Sequence, residues 1–145
     1  MLRLRFFSPT DLEELADLVR TSLGENYSQG LYMNIYNTWR EAFIIAEENG
    51  RIIGFVAGVI SENQSARILM LAVRTEFRCR GIGTMLVNSF MNATVMKGLR
   101  SVHLEVRKSN ASAIRLYTRF GFQITTTLPA YYSDGEDGLQ MWRAL

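Results

Sequence analysis

Apolar residues recur along the chain at two spacings, and the switches between them divide it into elements. Leu2, Leu4 and Phe6 alternate with Arg3, Arg5 and Phe7, the period of two that suits a half-buried strand. Ser8-Pro9-Thr10-Asp11 then offers an N-cap serine, a proline at the first helical position and an acid at the capping-box position. Leu12, Leu15, Ala16 and Val19 follow at helical spacing and predict a helix to about Ser22. Gly24-Glu25-Asn26-Tyr27 breaks it, and Ser28 can cap a second helix carrying Leu31, Ile35 and Trp39. Phe43 to Ala46 and Ile52 to Ile60 are strand-like runs joined through Asn49-Gly50, a hairpin signal.

A third strand-like run, Arg67 to Val73, leads through a loop at Arg74 to Arg80 into a helix over Gly81 to Lys97. The expected inward face of that helix is Ile82, Met85, Leu86, Ser89, Phe90 and Ala93. Val102 to Val106 reads as strand, Asn110 to Arg119 as helix, Phe122 to Thr127 as strand and Leu139 to Trp142 as a last strand. The order βααβββαβαββ predicts an α/β fold, a mixed sheet with helices on both faces.

At 145 residues with no internal repeat or Pro/Gly-rich linker, the chain is expected to form one domain over 1–145. Its 48% hydrophobic and 21% charged residues exclude a disordered or collagen-like polymer. Ile52 to Ile60 is the longest apolar stretch and is far shorter than the ~20 residues a membrane span needs. Met1 to Phe7 lacks the apolar core of a secretory signal, so a cytoplasmic location is expected. One cysteine (Cys79) and one histidine (His103) cannot build a structural zinc site or a disulfide framework. No Gly-x-Ser-x-Gly elbow accompanies His103, which argues against a serine hydrolase. A net charge of +2 does not favour nucleic acid through field strength alone. The basic residues, 14 Arg and 2 Lys, instead include Arg67, Arg74, Arg78 and Arg80, which suggests a local anion-facing patch.

The segment Arg78-Cys79-Arg80-Gly81-Ile82-Gly83-Thr84 lies where a strand passes into a helix. Main-chain N–H groups are unpaired there and the helix dipole is positive, so the segment can cradle a pyrophosphate. It has no lysine before Thr84, as a Walker A loop requires, and Leu86 fills the place of the third small residue of a dinucleotide fingerprint. A plain helix start with glycines for close packing is the alternative for this segment taken alone.

A second cluster runs Leu104-Glu105-Val106-Arg107-Lys108-Ser109-Asn110, then Ala113, Leu116-Tyr117 and Phe120-Gly121-Phe122. With Arg78-x-x-Gly81-x-Gly83 after a strand, it resembles the GNAT superfamily of acetyl-CoA-dependent N-acetyltransferases. The nearest branch is similar to the N-terminal protein acetyltransferases, of the ribosomal-protein-alanine type and the archaeal and eukaryotic catalytic subunits. That branch has a Pro-Glu-Asn-Tyr turn and a late Tyr-Tyr-x-Asp-Gly-Glu-Asp-Ala stretch. Here they read Gly24 to Tyr27 and Tyr131-Tyr132-Ser133-Asp134-Gly135-Glu136-Asp137-Gly138. Gly24 in place of proline would loosen the turn, and Gly138 replaces the usual alanine.

The resemblance implies the GNAT fold and transfer of acetyl from acetyl-CoA to the N-terminal α-amine of proteins in a ternary complex, without a metal. It implies that the main chain of Leu71, Ala72 and Val73 holds the pantetheine arm and acetyl group. Arg78, Cys79, Arg80, Gly81, Ile82, Gly83 and Thr84 would hold the pyrophosphate. Asn110 and Tyr117 would line the thiol end, with Tyr117 protonating the thiolate and Glu105 acting as general base. Glu25, Asn26, Tyr27, Tyr131 and Tyr132 would wall the peptide groove. Protein or peptide N-termini are the implied partners, with room for an auxiliary subunit or the ribosome and none for nucleic acid or membrane. Read from the residues alone, Glu105 could instead be a surface carboxylate paired with an arginine, and Tyr117 a core aromatic. His103 is expected to be satisfied by a neighbour, and Cys79 to be a bystander. A small amine or a lysine as acceptor, or a non-catalytic acyl-CoA sensor, are the competing functions.

Overall fold

In the computed structural model, which describes residues 1–145, the local signals start and stop the elements as the sequence indicates. β1 spans Leu2–Phe6, and a short 3-10 turn at Pro9–Asp11 precedes α1 at Leu12–Leu23. The Asp11 carboxylate accepts from the Ser8 N–H at 2.9 Å and from two Arg5 donors at 2.8 and 2.9 Å. Burial pulls the Asp11 carboxyl upward, and these bonds outweigh it and hold the group below the ordinary carboxylate range. Gly24 ends α1 with φ +68°, its N–H donating to the Arg20 carbonyl. Ser28 Oγ accepts from the Leu31 N–H and opens α2, Gln29–Thr38.

β2 (Phe43–Glu48) and β3 (Arg51–Ser61) form the expected hairpin, turning at Asn49 and Gly50 with both φ values positive. β4 (Ser65–Val73), α3 (Ile82–Met96), β5 (Ser101–Arg107), α4 (Ala111–Arg119), β6 (Gln123–Leu128) and β7 (Gly138–Ala144) complete the predicted order. One seven-stranded sheet results, ordered β1-β2-β3-β4-β5-β7-β6, and every neighbouring pair is antiparallel except β4 and β5. One face buries Leu15, Leu18, Tyr32 and Ile35 of α1 and α2 against Phe43, Phe55 and Met70. The other buries Leu86, Phe90 and Tyr117 of α3 and α4 against Val56, Leu104 and Met141. No helix is long and apolar enough to cross a membrane.

The face of α3 differs from the expectation. Met85 is exposed, whereas Val87, Met91 and Thr94 are buried with Ile82, Leu86 and Phe90. The helix is rotated by about one row of side chains, and Thr94 is tolerated inside because its hydroxyl donates to the Phe90 carbonyl at 2.9 Å. Phe122, predicted to open the strand Phe122 to Thr127, instead precedes β6. It is buried against Tyr117, the rings edge to face at 5.6 Å.

The parallel pair positions the site. β4 and β5 are in register only at Ser65–Ser101, Ala66–Val102 and Arg67–His103, and then diverge. Immediately beyond, the β3–β4 register slips, leaving Leu69 as an extra residue between Ile68 and Met70. Such a bulge bends a strand and increases its twist. Opposite it stands Gly58, where a Cβ would lie 2.3 Å from the Phe90 ring and 2.7 Å from the Arg67 carbonyl oxygen. Only glycine lets α3 pack against the bent strand at this point.

Candidate active site

The gap opened by the diverging strands is edged by main chain. The Arg74 N–H donates to the Ile53 carbonyl at 2.7 Å, so by strand alternation Ala72 also turns its peptide groups toward β3. Leu71 and Val73 turn theirs the other way, into the gap. This corrects one expectation: Leu71 and Val73 can offer main-chain bonds there, whereas Ala72 is committed to the sheet and buries its methyl under α1 and α2.

Beyond β4 the chain makes a 3-10 turn at Thr75–Phe77, passes Cys79 at φ +63° and Gly81 at φ +78°, and enters α3 at Ile82. The N–H groups of Cys79, Arg80 and Gly81 have no acceptor in the protein, nor do those of Ile82, Gly83 and Thr84; Met85 is the first to bond, to the Gly81 carbonyl. Consecutive free amides at a helix start form an anion-binding concavity. Cys79 is exposed. The four-arginine patch reduces to Arg78 and Arg80. Arg78 Nε donates to the Val73 carbonyl at 3.1 Å, and Arg80 lies over the Phe77 ring at 5.1 Å. Arg74 instead donates to the Ile52 carbonyl, and Arg67 pairs with Glu105, because alternation along β4 points it to the far face.

A cavity of about 430 Å³ occupies the gap and brings most of the remaining candidates together. Leu71, Asn110 and Tyr117 line one side, Glu25, Tyr27, Tyr131 and Tyr132 the other, with Glu105 between them. Asn26 is exposed and does not reach it; the turn points Glu25 and Tyr27 inward instead. Asn110 caps α4, its Oδ1 accepting from the Ala113 N–H at 3.1 Å, which leaves its amide donors for the cavity. The Tyr117 hydroxyl has no hydrogen-bond partner in the protein, and burial pushes its phenol well above the ordinary value, so it stays protonated at physiological pH.

Glu105 alternates with the buried Val102, Leu104 and Val106 of β5 and shares the opposite face with His103, as expected. Its side chain is only 10% exposed. Arg67 Nε and Nη2 both reach Glu105 Oε1, at 2.7 and 2.6 Å. His103 is satisfied by a neighbour, its Nδ1 lying 3.0 Å from Ser65 Oγ, which accepts from the Ser101 hydroxyl. Burial lowers the His103 pKa against the pull of Glu105, favouring the neutral ring.

The acceptor-side wall depends on side chains. The Tyr27 hydroxyl donates to Glu25; burial and that bond both push its phenol upward. Tyr131 and Tyr132 pack edge to face at 5.0 Å, and Tyr132 lies against the Arg107 guanidinium at 4.1 Å. Arg107 in turn bonds Asp134 and Glu136, each at 2.9 Å, and Glu136 accepts from the Ser109 N–H. These bonds tie the β6–β7 connection to the end of β5. The sequence alone assigns no anchoring role to the Asp134 to Asp137 stretch and names neither Arg107 as its partner nor Arg67 as the arginine that pairs with Glu105. The opposite charges of Arg107 and the acidic Asp-Gly-Glu-Asp stretch are the available signal. At Gly138 a Cβ would lie 3.1 Å from the Tyr131 side chain, a tight contact that a small shift of that ring would relieve.

Residues 12–122 match the profile of the acetyltransferase (GNAT) family. The chain is 32% identical to an N-alpha-acetyltransferase of Sulfurisphaera tokodaii, over 96% of this chain and 90% of that protein. The crystal structure of Ard1 from Thermoplasma volcanium superposes with a TM-score of 0.93 at 39% identity, over 99% of this chain and 97% of that one. Arabidopsis thaliana NAA60, solved in complex with acetyl-CoA, superposes with a TM-score of 0.88 at 26% identity over all of both chains.

Proposed function

The chain belongs to the acetyltransferase (GNAT) family, and from that premise we propose that it transfers acetyl from acetyl-CoA to the N-terminal α-amine of proteins, as one domain spanning 1–145. The observation that carries this reading is the single gap between β4 and β5. Glu105 and Tyr117 line one cavity there with Leu71 and the groove tyrosines, and β4, whose Leu71 lines it, leads on to the free amides at the start of α3.

In the proposed mechanism the amides of Cys79 to Thr84, with Arg78 and Arg80, hold the pyrophosphate, and the Leu71 and Val73 main chain aligns the pantetheine arm. A main-chain N–H at this edge stabilises the oxygen of the thioester carbonyl as charge develops on it. Glu25 and the hydroxyls of Tyr27, Tyr131 and Tyr132 receive the peptide terminus. An α-amine has an ordinary pKa near 7.7 to 8.0, so about a tenth or more is neutral at pH 7 and a modest base suffices. Glu105 takes the remaining amine proton, directly or through one water, as the N–C bond forms. Tyr117 donates its proton to sulfur as the C–S bond breaks. Alignment of amine and thioester contributes most, up to about 7 to 11 kcal/mol. A cytoplasmic location, where acetyl-CoA and nascent N-termini meet, fits this reading.

The test is turnover of acetyl-CoA against short peptides differing in their first residue, with an N-terminally blocked, lysine-containing peptide as control. Turnover confined to free N-termini is expected. Turnover of the blocked peptide would reassign the acceptor to lysine, and acetyl-CoA binding without transfer to any peptide would redirect the reading to small amines or a sensor.

A further inference from the structure

We propose that Arg67 is a positioning residue that holds Glu105 in its reactive orientation and couples it to the peptide wall at Tyr131. The inference rests on the reading of Glu105 as the base. Both Arg67 donors converge on Oε1, at 2.7 and 2.6 Å, and no protein group bonds Oε2. One carboxylate oxygen is thereby pinned while the other is left to accept a proton. Without the clamp, Glu105 would have no protein hydrogen-bond partner left and could sample several rotamers within the cavity.

Two further features set Arg67 apart from an incidental ion pair. It is the last residue of β4 in register with β5, two residues before the strand bends at Leu69. Its backbone is therefore fixed at the vertex of the gap, with its carbonyl packed against Gly58. The same Nη2 also comes within 3.5 Å of the Tyr131 hydroxyl on the opposite wall. Arg67, Glu105 and Tyr131 line both the 430 Å³ cavity and a second one of about 630 Å³ beside it, so this trio forms the partition between them. Arg107, the other cation nearby, is already engaged by Asp134 and Glu136, and the His103 ring is held by Ser65. Lysine at position 67 could supply charge but only one point of attachment, where the guanidinium supplies a fork.

The experiment compares kcat, both KM values and thermal melting for the wild type, Arg67→Ala, Arg67→Lys, Glu105→Gln and the Arg67→Ala/Glu105→Gln double variant. Arg67→Ala is expected to lower kcat about 10- to 100-fold at saturating substrates, the scale of a misplaced catalytic group, with the acetyl-CoA KM within about twofold of wild type. Arg67→Lys should fall between. In the Glu105→Gln background, Arg67→Ala should have little further effect, because it acts through that carboxylate. Unchanged kcat in Arg67→Ala overturns the proposal. So do losses that add in full in the double variant, and a fall in activity explained by early melting or weak acetyl-CoA binding. Failure of the wild type on free N-termini would instead sink the α-amine reading. The same variants are then compared on the amine that the wild type does acetylate.

Discussion

The two sides of the β4–β5 gap are made of different atoms. Toward α3 and α4 the polar edge is largely peptide groups, those of Leu71 and Val73 and the free amides of Cys79 to Thr84, with the Asn110 and Tyr117 side chains beside them. Toward α1 and α2 it is edged by side chains from separate stretches, Glu25 and Tyr27, and Tyr131 with Tyr132, and Glu105 stands where the two sides meet. A main-chain site is specified by where a helix starts and where glycine permits positive φ, so its signature is short and local. A side-chain site is specified by long-range assembly. Here that assembly relies on Arg107, which anchors the β6–β7 connection through Asp134 and Glu136. The cradle can therefore persist while the groove varies.

That division can be broken or sharpened at four points. The largest effect is expected where the two sides meet. Glu105→Gln should lower kcat by about 10²- to 10⁴-fold, the range for general-base catalysis, while calorimetric acetyl-CoA affinity stays unchanged. A matching loss of cofactor affinity would merge the two sides into one. Arg78→Ala should act on the cradle alone, weakening acetyl-CoA about tenfold, less at high salt, with the peptide KM unmoved. Equal acetyl-CoA affinity in the variant would remove Arg78 from the cradle. Arg107→Ala should act on the groove alone, raising the peptide KM about threefold, since exposed ion pairs are individually weak. A larger effect on the acetyl-CoA KM would contradict the anchoring role.

The smallest effect concerns pH. Burial lowers the His103 pKa in the folded protein, so the unfolded chain binds the proton more readily. Stability is then full above the ordinary histidine pKa of about 6.5 and declines as pH falls below it. Melting followed from pH 7 to 5 should drop by a few degrees, and His103→Gln should flatten that slope. A wild-type slope in the variant would assign the loss to other groups.

The element order and the capping residues were legible because they are local. Ser28 caps α2, Asn49-Gly50 turns the hairpin, and β5 alternates as read. The face of α3 was not, since Met85 and Met91 are equally apolar in sequence and only packing against the bent sheet separates them. The commitment of Ala72 to β3 and the outward turn of Asn26 likewise follow from register and turn geometry. Arg67 and Glu105 stand 38 residues apart; their pairing required the parallel alignment of β4 and β5, which no local pattern encodes.

The three-pair junction of β4 and β5 is also the line along which two halves of the sheet meet. On one side of it, β1 to β4 form an antiparallel meander closed by short turns from β2 onward; on the other, β5, β6 and β7 form a separate ladder. The register at Ser65 to Arg67 is the sheet's narrowest connection between these units, and amide exchange should report it as a low-energy opening. A ligand lying along the gap would touch both units and oppose their separation. At a hundredfold excess over its Kd, such a ligand adds about 2.7 kcal/mol to stability. The melting temperature of the protein would then report how much of that ligand is bound.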